Sequence, residues 1–140
     1  MKDYLTSTIT SLFSILLMTF HFTSDTLRAH LGSPEAGGST LLGVPILVLW
    51  LYGTLMLAGR RSGYIIMLIG SLIAIGMPVL HVMFSAGVFQ GQLARVSSGD
   101  FIFVWTLQAL GVTGLFLLIL SLQGLWGTRR AQRILPSQQV

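Results

Sequence analysis

The chain contains no cysteine. Disulfides, thiolate-ligated zinc, iron–sulfur clusters and thiol lipidation are therefore excluded, because each needs a sulfhydryl. Charge is almost as scarce. Eight Lys and Arg and four Asp and Glu stand in 140 residues, a charged fraction of 9% where a soluble domain carries about 25%. No carboxylate pair lies inside an apolar segment, and HExxH, a nucleophile elbow and a phosphate-binding loop are all missing. The sequence thus points away from an enzyme.

The rest is long uncharged runs: residues 4 to 24, 36 to 59, 62 to 94 and 101 to 128. Each can cross a bilayer as a helix, since about 20 apolar residues at about 1.5 Å rise cover a hydrocarbon core of about 30 Å. The mean hydropathy of +0.81 agrees. The runs do not alternate on a two-residue period, which argues against spanning strands. The expectation is an all-α integral membrane four-helix bundle, a single transmembrane domain over residues 1–140, with spans near 4–24, 41–59, 64–89 and 101–126. Short connections predict up-down-up-down topology, with helices 1 and 3 diagonal across the core.

Basic residues give the orientation. With the N-terminus cytoplasmic, that side holds Lys2, Arg60, Arg61, Arg129, Arg130 and Arg133, and the other only Arg28 and Arg95. Such a bias predicts both termini inside, as in a bacterial inner (plasma) membrane protein. The net charge of +4 then sits at helix ends beside anionic lipid, and no nucleic-acid partner is expected. The first helix is expected to be retained, because its core is studded with Ser and Thr and Leu27-Arg28-Ala29 is a poor cleavage site. Tyr4, Tyr64, Trp105 and Trp126 suit an interfacial belt, whereas Trp50 and Tyr52 fall near mid-membrane, where core packing is the simplest account.

Two histidines carry the functional clue. His21 and His81 each lie 17 residues after a tyrosine, Tyr4 and Tyr64, in helices expected to be parallel, which predicts similar depth in the outer leaflet. On helix 1, Ser7, Ser11, Ser14, Met18, His21, Asp25 and Arg28 step by three and four and form one stripe. On helix 3, Gly63, Met67, Gly70, Ala74, Met77 and His81 do the same. Small residues at this spacing let helices approach closely in lipid, so both histidine faces are expected to turn inward. Pro78 should kink helix 3 before His81.

Three chemistries suit the pair. Two imidazoles on facing helices can ligate haem b. His21, His81, Met18, Met77 and Asp25 together offer imidazole, thioether and carboxylate ligands for copper or another metal. Structurally, His21 can bond Asp25 one turn on, Arg28 can pair with Asp25, and His81 can meet the amide of Gln108. The structural reading leads. It describes a small non-catalytic accessory or interaction subunit, packing in the bilayer through helices 1 and 3 as a homo-oligomer or within a larger membrane complex. A b-type cytochrome or metal-binding membrane protein is the alternative.

Overall fold

A computed structural model describes the backbone of residues 2–30, 40–84 and 98–134, and the side chains of 4–27, 43–80 and 104–130. Four helices make up nearly all of it: α1 (Lys2–His30), α2 (Thr40–Leu55), α3 (Arg61–Phe84) and α4 (Ser98–Ile134). There is no strand among the described residues. Three helices are long and apolar enough to cross a membrane, over Tyr4–Leu27, Arg61–Leu80 and Val104–Arg130. The expected second span is shorter than the sequence suggested. Helix α2 has 16 residues and ends at Leu55 rather than near 59.

A turn occupies the residues between α2 and α3. Gly59 adopts a left-handed φ of 73°, which a side chain would resist. The turn closes with Arg60 N–H donating to the Leu57 carbonyl at 3.0 Å, and Tyr64 N–H donating to the Arg60 carbonyl at 3.2 Å starts α3. The other boundaries move less. Helix α4 extends past 101–126 at both ends, and residues 85–89 of the expected third span lie outside the described residues.

Helix α1 is rich in Ser and Thr, which favour helix interiors only weakly in water. Here most of their hydroxyls fold back on the helix. Ser7 and Thr8 donate to the Tyr4 carbonyl, Ser14 to Thr10, Thr19 to Ile15, Thr23 to Thr19 and Thr26 to Phe22, all at 2.8–2.9 Å. Each bond satisfies a hydroxyl without water, so the residues are compatible with an apolar setting. Helix α3 runs unbroken through Pro78.

The helices form a ring. Helix α3 packs most extensively on α4, α1 packs on α4 and α2, and α2 on α3, while α1 and α3 face each other across the diagonal with little contact. Met18, Phe22, Trp50, Tyr64, Met67, Ala74, Leu110 and Leu117 fill the interior. Between them lie the buried hydroxyls of Ser7, Ser11, Ser14, Thr54, Ser71 and Ser121, and His21.

Candidate functional site

The inward stripe of α1 is as its spacing predicts. Ser7, Ser11, Ser14, Met18 and His21 are all buried, and Asp25 ends the series with its side chain 21% exposed. His21 is fully buried, and its Nε2 lies 3.4 Å from Asp25 Oδ2, one turn on. The carboxylate thus stands at the rim of the bundle and the imidazole below it. The contact is of ion-pair length and would become a salt bridge if the imidazole took up a proton.

Side-chain pairings between helices give the level of the site. Phe22 lies over Gly43 and Ser11 meets Thr54, which aligns α1 with α2; Trp50 lies over Gly70, which aligns α2 with α3. Gly43 is seven residues before Trp50, and Met77 is seven after Gly70. The level of Phe22 and His21 is therefore reached on α3 at Gly76 and Met77. Met77 is partly buried and packs against the core cluster.

His81 is four residues beyond Met77, about 6 Å further along the helix. The equal spacing from the tyrosines misleads because the tyrosines are not equivalent. Tyr4 is exposed near the start of α1, whereas Tyr64 is buried with its ring against Gly124 of α4. The side chains of His81 and Arg28 lie outside the described residues. Gln108 is exposed, on the outward side of α4. The described donors at this level are thus His21, Met18, Met77 and Asp25. Among the described residues, no group of three or more His, Asp or Glu is arranged to hold a metal ion.

A second polar centre lies deeper, of which sequence reasoning named Ser11 and Trp50 without joining them and did not name Thr54. Trp50 Nε1 donates to Ser11 Oγ at 2.9 Å, Ser11 and Thr54 hydroxyls are 2.7 Å apart, and Thr54 Oγ1 donates to the Trp50 carbonyl at 2.8 Å. The proton order follows from valence. An indole N–H only donates, and the Thr54 proton is committed to the carbonyl, so Ser11 must donate to Thr54. All three polar groups are satisfied in one closed circuit that ties α1 to α2. The sequence signal was Trp50 and Thr54 four residues apart, facing a serine stripe; nothing in it identified Ser11 as the partner.

The α3–α4 side is built differently. A Cβ at Gly114 would stand 3.0 Å from Ala74 Cβ and 3.2 Å from the Ser71 carbonyl, and one at Gly111 would stand 3.1 Å from Pro78 Cγ. Gly124 receives the Tyr64 ring. These glycines let the helices meet backbone to side chain, and Gly111 makes room for the ring of Pro78. On this side the buried hydroxyl of Ser121 has no hydrogen-bond partner among the described residues.

Searches found no matching protein-family model, no matching curated protein and no matching solved structure. The class of protein therefore rests on the fold: an all-helical chain with three helices apolar and long enough for a membrane.

Proposed function

We propose that this chain is a small polytopic membrane protein, with α2 crossing beside the three longer helices in up-down-up-down order, that serves as a non-catalytic accessory or interaction subunit. One observation carries it: burial is inverted relative to a water-soluble bundle. Small hydroxyl residues are buried, while Ile9, Phe13, Leu49, Ile69, Leu115 and Phe116 are exposed. A soluble bundle hides such side chains, whereas lipid solvates them and leaves packing and hydrogen bonds to hold helices together. The stripes of α1 and α3 are consumed inside the bundle, so partners meet other faces.

The excess of Arg and Lys at one end supports termini on the cytoplasmic side of a bacterial inner membrane. Two measurements test this. The protein should stay in the membrane pellet after alkaline carbonate washing, and an Arg130→Cys variant should resist an impermeant maleimide in intact spheroplasts. Release by carbonate overturns the membrane reading, and labelling from outside overturns the orientation.

The ligand-binding alternative draws support from the buried His21 beside Asp25. The donors at this level, imidazole with thioethers and a carboxylate, suit copper better than haem, which asks for a second imidazole on the facing helix. In that reading His21, His81, Met18 and Met77 would offer the ligands and Asp25 would orient the His21 ring. Metal analysis of purified protein against His21→Ala decides it, and a visible Soret band would favour haem instead.

A further inference from the structure

We propose that the outward face of α2 is the interface of a parallel homodimer in which the Tyr52 hydroxyl meets its counterpart in a second copy. The inference rests on the membrane reading above. Trp50 lies over Gly70, close to the middle of the apolar span Arg61–Leu80, so Tyr52, two residues on, is about 3 Å from mid-span along the axis. Tyr52 is also two residues from both Trp50 and Thr54, which at about 100° per residue turns it about 160° away from the core. It is 53% exposed. A Cβ on a helix leans toward the N-terminus, so the phenol is carried toward mid-span and away from the nearer Arg60 end.

A phenol there faces a problem that the other outward hydroxyls have solved. Thr8, Thr19 and Thr23 donate to carbonyls of their own helix. A tyrosine hydroxyl stands too far from its backbone for that. Left in hydrocarbon it forfeits a hydrogen bond, at a cost that favours any arrangement supplying an acceptor. A two-fold axis along the membrane normal supplies one, since symmetry brings the same residue of each copy to the same depth. Tyr can pair with itself because its hydroxyl both donates and accepts. This polar self-complementarity selects a second copy as the occupant.

Helix α2 gives a second reason. Its 16 residues extend about 24 Å against a core of about 30 Å, and oligomerisation is one way a short helix relieves such mismatch. Pro45, Val48, Leu49, Tyr52 and Met56 all lie exposed on this face, with Val48 and Tyr52 one turn apart. Among the described residues, the remaining surface of the bundle has no comparable polar group so near mid-span on a short helix.

The absence of native cysteine makes the test clean. Tyr52→Cys and Val48→Cys are treated in native membranes with a membrane-permeant bifunctional maleimide. Phe116→Cys, exposed near mid-span on α4, is the control. Efficient homodimer adducts at positions 52 and 48, with Phe116→Cys at background, are expected. Equal adducts at all three positions, none at Tyr52→Cys, or an adduct with a different protein overturns the dimer. Carbonate release of the same variants would instead overturn the membrane reading, so the two failures are distinct. In bilayers of graded protein density, Tyr52→Phe should weaken dimerisation about threefold, the size of a typical interhelical hydrogen bond in lipid. An unchanged equilibrium overturns the phenol pair.

Discussion

The seam between α1 and α2 and the seam between α3 and α4 join helices by opposite means. In the first, an indole and two hydroxyls form a closed circuit, two of whose three hydrogen bonds cross the interface. In the second, glycines at 111, 114 and 124 admit a proline ring, an alanine methyl and a tyrosine ring. Both suit an apolar solvent, where burial of apolar surface against a neighbour gains little over burial in lipid. The difference lies in how they fail. A polar circuit loses several bonds when one member is removed, but its shape survives. A close-packed seam tolerates removal and resists addition.

Substitutions can break the contrast, starting with the residue on which both designs converge. Trp50 closes the polar circuit and also fills the space over Gly70, so Trp50→Ala should cost about 3–5 kcal/mol of bundle stability, the range for emptying a large core site. Denaturation by SDS in mixed micelles, followed by circular dichroism, measures it; a loss below about 1 kcal/mol would show that neighbouring helices collapse into the space. Next comes Gly114→Leu, which forces a side chain against Ala74 and the Ser71 carbonyl. Overpacking of about 1–3 kcal/mol is expected from the same titration.

Ser11→Ala should cost about 1 kcal/mol, because it strands the Trp50 N–H and takes from Thr54 its donor. A double-mutant cycle with Trp50→Phe sharpens this: the circuit requires the two losses to be less than additive, whereas strict additivity would mean the bonds act independently. The smallest effect should be at Ser121. Its hydroxyl is buried without a hydrogen-bond partner among the described residues, so Ser121→Ala should leave stability within about 0.5 kcal/mol or raise it. A marked loss there would reveal a bond supplied by something beyond the described residues.

Much of the fold was legible because apolar length and helical spacing are local properties. The serine stripe of α1 turns inward as its three- and four-residue steps require, down to His21. The boundaries of α2 were less so, since apolarity continues past Leu55 while the helix stops there and a turn containing the left-handed Gly59 follows. Trp50 and Tyr52 read alike in the sequence, both aromatic, both near mid-span. The structure sends one into the core and the other outward, because two residues of helix turn through about 200° and the Gly70 surface is shaped for only one of them.

The histidine pair teaches the same point about depth. Counting from tyrosines assumed that both mark one membrane surface, yet Tyr64 packs inside against Gly124 while Tyr4 stays outside. Register between helices is set by interlocking side chains, here Phe22 over Gly43 and Trp50 over Gly70, and no single-helix count contains it. The sequence by itself determined that the chain is helical, that its helices are apolar enough for lipid, and which stripe of α1 faces inward. Only the tertiary structure decided that Phe22 lies over Gly43 and Trp50 over Gly70, and that Ser11, Trp50 and Thr54 form one circuit. Composition and periodicity act along a single helix, whereas level and partnership depend on how four helices slide until their glycines and rings fit.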